Sequence, residues 1–450
     1  MKQLLSVNVD MFKDCPLDMI RERVAACPDS EDAFFVCDLG DIIQKFNIWK
    51  RKLPRVEPFY AVKCNDDLQV LSLLAKLGTG FDCASKEEIK KVLSLNVSPS
   101  RIVYANPCKQ NSHIKYATKH RVHLTTFDNE TELRKMKAIN PEAEMVLRIL
   151  PPQTEKVQCQ LGNKFGCEVK DARRLLLAAK ELGVNVVGVS FHVGSGCFDA
   201  HAYGAAVALS RVVFDLGASL GFNFTLLDIG GGYPGQKSAN ISFDEICDAL
   251  NPALDEYFPP ECGVRIIAEP GRYFVASAFT IAVNIIAMRR VARDGAEGEE
   301  VTENDEPKFM YYVNDGVYGS FNCLLFDHAE VAPMPLYPAK EDEPLFECSI
   351  WGPTCDGLDC ITQLTMMPEM DAGSWMVVPD MGAYTVAASS TFNGMPRPSI
   401  LYMSKEIYRT QLLGKEACNF ACKKSDLDSL LDFGGADALP VVPPGVLPAF

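Results

Sequence analysis

Short apolar runs recur along the first 270 residues of the chain, and each run ends in polar or small residues. The first five runs begin 21 or 22 residues apart, and the last three lie about 40 residues apart. The runs are almost continuously apolar rather than alternating, as expected for strands that are covered on both faces. The eight candidate strands are FYAVKCN from Phe59, GFDCAS from Gly80, IVYANP from Ile102, HLTTFDN from His123, MVLRI from Met145, GVSFHVG from Gly188, LLDIGGG from Leu226 and RIIAEPG from Arg265.

Helical patterns lie between these runs. The leucines of segment 68–77 form one stripe, and Gly78 follows it, as helix ends prefer. Further helices fit residues 170–183, 202–221 and 243–258. Eight alternations of strand and helix predict an α/β fold, a (β/α)8 barrel of the TIM type. A doubly wound open sheet is the alternative, but the eight units and the absence of G-x-G-x-x-G after the first strand argue against it.

The pattern changes after about residue 275. The following segments alternate and are rich in β-branched and aromatic residues, which is typical of an antiparallel β domain. We therefore expect a barrel over residues 36–275, with residues 1–35 and 276–410 forming the β domain. Segment 292–308 is charged and predicted to be a mobile loop, and residues 411–450, which end in a proline-rich stretch, are predicted to be a flexible tail.

Charge and cysteine usage narrow the class of protein. The net charge of −15 disfavours a nucleic-acid partner. No apolar run approaches the length of a membrane span, and the first twenty residues lack a secretory core. The 17 cysteines are an odd number, so we expect reduced thiols and a cytoplasmic protein. The pairs Cys355/Cys360 and Cys418/Cys422 lack zinc-site spacing, so no metal is expected.

Polar side chains follow the predicted strands where catalytic groups of such barrels project. Lys63 ends the first run, where burial would lower its pKa and make it a nucleophile; a strand-end lysine that reaches solvent is the alternative. The glycines 230–232 with Arg272 suit a phosphate, although a tight turn would also explain the glycines. His192 could stack on a ring or be a core histidine. The strand-end residues are Lys63, Asp82, Arg148, His192, Gly230, Gly231, Gly232, Glu269 and Arg272.

Glu269 favours a catalytic explanation of these strand-end residues over a structural one. A carboxylate beside a heterocyclic nitrogen keeps that nitrogen protonated. A lysine that can form an imine, a phosphate cradle and a ring carboxylate together indicate pyridoxal 5'-phosphate, whose protonated ring accepts electrons. The sequence therefore predicts this cofactor.

Longer motifs carry a resemblance to a known family. FYAVKCN, GFDCAS, YANPCKQ, SFHVGSGC, LDIGGGYPG, AEPGRY, YVNDGVYGSFNC, WGPTCDGLD and MGAYTVAASSTFNG closely resemble the eukaryotic ornithine decarboxylase family over residues 32–403. The resemblance implies a cofactor-binding barrel followed by a β domain, and a homodimer whose active sites use both chains. It implies decarboxylation of an amino acid, most simply L-ornithine to putrescine and CO2 in polyamine synthesis, through an external aldimine and a quinonoid.

The resemblance also assigns roles to residues. Lys63 matches the Schiff-base lysine, Glu269 the partner of the ring nitrogen, and His192 the stacked residue. Cys355, supplied by the other subunit, matches the residue that controls protonation of the product carbon. The cofactor contacts it implies are Lys63, Asp82, Arg148, His192, Ser195, Gly230, Gly231, Gly232, Glu269, Arg272 and Tyr384. The substrate contacts it implies are Asp327, Asp356, Tyr318, Phe326 and Phe392, and the inter-subunit ion pair is Lys164 with Asp359.

Several positions depart from the family pattern. Phe326 replaces a tyrosine beside the substrate aspartate, Met395 replaces a phenylalanine, and Cys167 stands where alanine is common. The loop 151–163 lacks the usual acidic stretch. These changes remove no catalytic group, but they leave lysine or leucine open as the substrate. The tail does not resemble the family's destabilising tail.

A non-catalytic function also stays open. Paralogues in this family act as antizyme inhibitors, which bind antizyme and have lost cofactor contacts. Here Asp82, Ser195, Gly235, Arg272 and Cys355 are retained, which favours an enzyme. Residues 115–137 match the antizyme-binding element and are locally basic; an ordinary solvated strand–helix unit is the alternative.

Overall fold

The computed structural model describes residues 12–162, 164–236, 239–292 and 307–413. The strands are β1 (Phe34–Asp38), β2 (Val56–Ala61), β3 (Gly80–Cys83), β4 (Ile102–Tyr104), β5 (Leu124–Phe127), β6 (Glu144–Arg148), β7 (Val157–Cys159), β8 (Asn185–Ser190), β9 (Ser195–Cys197), β10 (Leu226–Asp228), β11 (Arg265–Ala268), β12 (Phe279–Val291), β13 (Lys308–Val313), β14 (Met334–Pro335), β15 (Phe346–Trp351), β16 (Cys360–Met367), β17 (Trp375–Val378) and β18 (Ser399–Met403). The helices are α1 (Pro16–Ala26), α2 (Leu39–Lys52), α3 (Leu68–Leu77), α4 (Lys86–Ser94), α5 (Asn111–Lys119), α6 (Glu130–Ile139), α7 (Val169–Leu182), α8 (Ala200–Ser219), α9 (Phe243–Tyr257), α10 (Arg272–Val275), α11 (Cys323–Phe326) and α12 (Arg409–Leu413).

Eight parallel strands close into a barrel in the order β2, β3, β4, β5, β6, β8, β10, β11. The barrel closes where Ile266 of β11 pairs with Val56 of β2. All eight predicted strands are present, and the predicted fold class is confirmed. Because the strands are parallel, their carboxyl ends meet at one rim.

Local sequence signals explain where the helices of the barrel begin and end. Asp67 accepts hydrogen bonds from the backbone N–H groups of Gln69 and Val70, both at 3.0 Å, and so starts α3. Gly78 ends α3 with a φ of 97°, a conformation that glycine adopts without strain. Ser85 accepts from the N–H of Glu88 at 3.3 Å and starts α4. These caps fix the helices that return the chain from each strand to the next.

A second sheet contains β14, β17, β12, β13, β15 and β16 in that order, with β1 and β18 attached through β12. Most neighbours are antiparallel, as predicted, but β1 pairs with β18 in parallel and β13 pairs with β15 in parallel. The predicted antiparallel β domain is therefore confirmed, with two parallel pairings inside it that were not predicted. The alternation of side chains reveals a half-buried strand but not the direction of its neighbour.

Helix α1 packs on this second sheet. Ile20 of α1 is fully buried with Phe34, Ala282, Val377 and other residues of the sheet. The barrel and the second sheet belong to one compact unit that ends at Glu406, while α12 belongs to a unit that begins at Ile407. The predicted domain boundaries after residues 35, 275 and 410 stay predictions.

Two expectations lie outside the described residues. They concern most of the charged loop 292–308 and nearly all of the tail 411–450. Among the described helices, none is long and apolar enough to cross a membrane.

Candidate active site

The carboxyl ends of the barrel strands surround a cavity of about 340 Å³. Its walls contain most of the predicted cofactor residues together with apolar side chains from the loops that cover the rim. The lining residues that were predicted from the sequence are Lys63, Arg148, His192, Ser195, Glu269, Phe326, Asp327 and Tyr384. The structure therefore brings together residues that are more than 300 positions apart in the chain.

Lys63 lies in a single turn directly after β2, and its ammonium contacts the carboxylate of Asp82 at the end of β3. Asp82 is fully buried, whereas Lys63 keeps 38% of its side-chain surface accessible because it faces the cavity. Burial lowers the pKa of Lys63, but the charges of Asp82 and Glu269 outweigh it and raise the pKa above its ordinary value. The expectation that burial would lower this pKa was therefore wrong. That expectation was based on β2 alone, whereas Asp82 belongs to β3 and Glu269 directly follows β11, the two strands that pair with β2.

Glu269 follows β11 and is buried against Asp228, which ends β10. Burial and the charge of Asp228 raise the pKa of Glu269 well above its ordinary value. Burial likewise raises the pKa of Asp228 to about 7, although its carboxylate accepts a hydrogen bond from the N–H of Gly230 at 2.9 Å. The two carboxyl groups therefore hold a proton between them near neutral pH.

Asp228 was missed by sequence reasoning. Its only signal was an acidic residue at the end of an apolar strand, immediately before the glycine triplet.

His192 lies after β8 and lines the cavity. Burial and the cations Arg148, Lys63 and Arg272 hold the pKa of its ring well below the ordinary value, so the imidazole is neutral. Its Nδ1 accepts a hydrogen bond from the N–H of Gly194 at 3.1 Å. A neutral ring held by this bond can form an apolar wall of the cavity.

The glycine triplet approaches the chain so closely that side chains do not fit. A Cβ on Gly230 would lie 2.1 Å from the carbonyl oxygen of Phe191, and one on Gly232 would lie 2.4 Å from that of Gly194. Both glycines also have positive φ, of 63° and 103°. A tight glycine loop at the rim lets an anion approach the backbone closely, which suits a phosphate.

Arg272 starts α10 beside this loop and is 4% exposed. Its Nη2 donates to the hydroxyl of Ser195 at 2.7 Å. Its two Nη atoms also donate to the carboxylate of Asp327, at 2.7 and 3.0 Å. The ring of Tyr384 lies 5.0 Å from the guanidinium. Ser195, Arg272 and Tyr384, the predicted phosphate contacts outside the glycine loop, thus lie together, but the pairing of Arg272 with Asp327 was not predicted.

The remaining predicted substrate residues form a second cluster on the same chain. The hydroxyl of Tyr318 donates to Asp356, and the rings of Tyr318 and Phe392 lie 4.5 Å apart. The backbone N–H of Cys355 donates to Asn393 at 3.0 Å. In the described part of the chain this cluster is not among the residues that line the cavity. Within one chain, Cys355 and Asp356 therefore lie outside the cavity wall that contains Lys63.

The predicted ion pair of Lys164 with Asp359 finds little support in one chain. Asp359 is 1% exposed, and its carboxylate accepts from the N–H of Val317 at 2.8 Å and from the N–H and hydroxyl of Thr354 at 2.9 and 2.6 Å. Lys164 is exposed and lies over the ring of Phe165. The ion pair would join two subunits, so it stays a prediction.

The residues at the rim fit pyridoxal phosphate. Among the described residues there, the buried polar atoms without a hydrogen-bond partner include Oε1 of Glu269 and Nε of Arg272. The first suits the protonated ring nitrogen and the second suits a phosphate oxygen. Lys63 supplies an amine in the same cavity. Fold and site together define a barrel enzyme built around pyridoxal phosphate.

Comparisons with known proteins specify the enzyme further. The family model for the pyridoxal-binding domain of pyridoxal-dependent decarboxylases matches residues 39–276. The chain is 55% identical over 395 residues to ornithine decarboxylase of Rattus norvegicus, covering 87% of this chain and 86% of that protein. It is 52% identical over 388 residues to antizyme inhibitor 2 of Xenopus laevis, covering 86% and 84%.

A solved structure agrees with these relatives. The arginine decarboxylase of Paramecium bursaria Chlorella virus matches with a TM-score of 0.80 and 34% identity, over 86% of this chain and 100% of that one. The chain belongs to the pyridoxal-dependent decarboxylase family, and it is a pyridoxal-phosphate-dependent amino-acid decarboxylase.

Proposed function

We propose that the chain decarboxylates L-ornithine and releases putrescine and CO2. The observation that carries this proposal is the identity of 55%, over 87% of the chain, with an enzyme named ornithine decarboxylase. Asp327 at the cavity supports it, because a carboxylate there is suited to the distal ammonium of a basic amino acid. Asp356 supplies the second carboxylate from the partner subunit.

Each residue of the site has a part in this reaction. When bound, the cofactor supplies a protonated ring that takes up the electron pair left by departing CO2. Glu269 would hold a proton at the ring nitrogen of the cofactor, and the neutral imidazole of His192 would add no charge that repels the protonated ring. Asp82 contacts the amine of Lys63 and so positions it for the cofactor aldehyde. Cys355 of the partner subunit delivers the proton to the substrate carbon.

The shared site requires a homodimer. Support comes from large apolar side chains that one chain leaves exposed near the predicted substrate residues: Leu358 is 70% exposed, Phe326 72% and Leu325 50%. Patches of this kind mark surfaces that associate. All cysteines that the structure describes are free thiols, which supports a cytoplasmic location.

An apolar substrate such as leucine is the second candidate. The observation that favours it is the pairing of Asp327 with Arg272, which neutralises the carboxylate that ornithine would need. Phe326, in place of a tyrosine, adds an apolar wall to the cavity.

Antizyme binding is the remaining part of the proposal. In segment 115–137 the side chains of Lys115, Lys119, Arg121 and Arg134 are exposed on an acidic protein. Such a surface suits an acidic partner. A pull-down with antizyme should retain the wild type and lose the double variant Lys115→Glu/Lys119→Glu. Equal retention of both would exclude this surface.

The test of the catalytic function is CO2 release from the purified chain with pyridoxal phosphate. Ornithine, lysine, arginine and leucine are run in parallel. Release from ornithine alone supports the proposal, and release from leucine alone replaces the substrate. No release from any of the four, combined with antizyme binding, would indicate a non-catalytic regulator.

A further inference from the structure

Arg272 and Asp327 form a buried ion pair that joins the predicted phosphate site to the predicted substrate carboxylate. The two side chains are 4% and 7% exposed. Both Nη atoms of Arg272 bond to Asp327, and Nη2 is shared with Ser195. One guanidinium therefore serves both halves of the active site.

Residues of β7 hold Asp327 from the other side. The side-chain amide of Gln158 donates to the backbone oxygen of Asp327 at 2.6 Å and to its Oδ2 at 3.0 Å. The thiol of Cys159 donates to the same backbone oxygen at 3.3 Å. The backbone of Asp327 is thus held independently of Arg272, and Gln158 and Cys159 also help to hold its carboxylate in the position that pairs with Arg272.

A second anion at Arg272 would weaken this pair. A phosphate dianion on the glycine loop and on Nε of Arg272 would lie beside the carboxylate of Asp327. Like charges at such a buried position repel strongly, since little solvent screens them. The guanidinium has five N–H donors, but its single positive charge cannot neutralise both anions.

We propose that Asp327 and the cofactor phosphate compete for Arg272, so that phosphate binding releases Asp327 toward the substrate. Without cofactor, Asp327 neutralises the buried guanidinium. With cofactor, the phosphate neutralises the guanidinium instead, and the carboxylate of Asp327 is free to bind an ammonium group. Binding of cofactor and binding of a distal ammonium thus support each other, and this second half rests on the proposed function. The same competition explains how Arg272 can neutralise Asp327 without cofactor while Asp327 still binds an ammonium group when cofactor is present.

The competition is measured with inorganic phosphate and with pyridoxal phosphate on the full-length chain freed of cofactor. Titration calorimetry gives the affinity for phosphate, and the absorbance of the lysine-bound cofactor gives the affinity for pyridoxal phosphate. Asp327→Asn should bind both about tenfold more tightly than the wild type, within the range of typical coupling between sites. The matched control is Asp215→Asn, which also removes a carboxylate that pairs with an arginine, but on the protein surface with Arg211. It should bind both ligands like the wild type.

A second variant covers the case in which Asp327→Asn does not fold. Gln158→Ala removes one donor to the carboxylate and should tighten phosphate binding a few-fold in the same direction. Unchanged or weaker phosphate binding in the folded variants would overturn the competition.

The diamine 1,4-diaminobutane separates this inference from the proposed function. It should bind the cofactor-free wild type more tightly with phosphate present than without. Tighter phosphate binding by Asp327→Asn, with no diamine binding by the wild type, supports the competition and refutes the proposed substrate.

Discussion

Two carboxylates from the neighbouring strands keep Lys63 charged. Asp82 and Glu269 raise its pKa although burial opposes them. A charged lysine is held firmly but is a weak nucleophile, so it must lose its proton before it can bind the cofactor aldehyde. The buried carboxyl groups of Asp228 and Glu269 hold a proton in the same site, so the free energy of unfolding should depend on pH.

At the residue scale, the first prediction concerns Lys63→Ala. The variant should lose the absorbance of lysine-bound cofactor and at least about 1,000-fold in the rate of CO2 release, since among the described residues of the cavity wall no other lysine can replace it. Spectra and CO2 release check this. Lys91→Ala is the control, because Lys91 also pairs with an aspartate, Asp66, but lies outside the cavity. A variant at Lys63 that kept colour and activity would refute the assignment.

The second prediction at this scale concerns pH. The pKa of Asp228 is about 7 in the folded chain, and about 4 in the unfolded chain. The folded chain thus binds the proton more tightly, and the free energy of unfolding of the cofactor-free protein should fall by about 1–3 kcal/mol as pH rises from about 4 to 7. Asp228→Asn should flatten this slope in thermal unfolding at several pH values. Asp215→Asn, at an exposed pair with Arg211, should not.

At the element scale, the barrel was predictable and the second sheet only in part. Continuous apolar runs marked all eight barrel strands, because strands covered on both faces need no alternation. Whether two neighbouring strands are parallel depends on the path of the whole chain. For example, β1 and β18 are parallel although the barrel lies between them in sequence. The pair of Arg272 with Asp327 was likewise unpredictable, since the two residues are 55 positions apart on different elements. Sequence motifs identified site residues, and only packing revealed which of them touch.

The glycine loop carries the prediction at this scale. Gly230→Ala should lower the free energy of unfolding by about 1–3 kcal/mol or more, and should weaken cofactor binding, because the new Cβ would meet the backbone of Phe191. Gly263→Ala is the matched control: its φ is also positive, at 68°, but nothing lies within 4 Å of a new Cβ. Gly263→Ala should lower the free energy of unfolding by only about 1 kcal/mol and should bind cofactor like the wild type. Chemical unfolding and cofactor titration check both variants, and equal behaviour would mean that the close approach is unimportant.

At the scale of the whole molecule, Cys355 lies outside the cavity wall of its own chain, so the role proposed for it calls for a second chain. Lys63 lines the cavity, whereas Cys355 belongs to the cluster with Asp356 and Tyr318 on the outer surface. The exposed Leu358 beside that cluster gives a partner an apolar surface to cover. Two separate defects on two chains should therefore complement each other.

Mixing Lys63→Ala with Cys355→Ala tests this requirement. Each homodimer has two defective sites, but a hybrid has one site with both changes and one site with neither. After random exchange about half of the dimers are hybrids, so activity should recover to about a quarter of the wild-type value. The control is a mixture of Lys63→Ala with the double variant Lys63→Ala/Cys355→Ala, in which no intact site can form. No recovery in the first mixture, with subunit exchange shown by differently tagged chains, would place both residues in one chain's site and refute the shared arrangement.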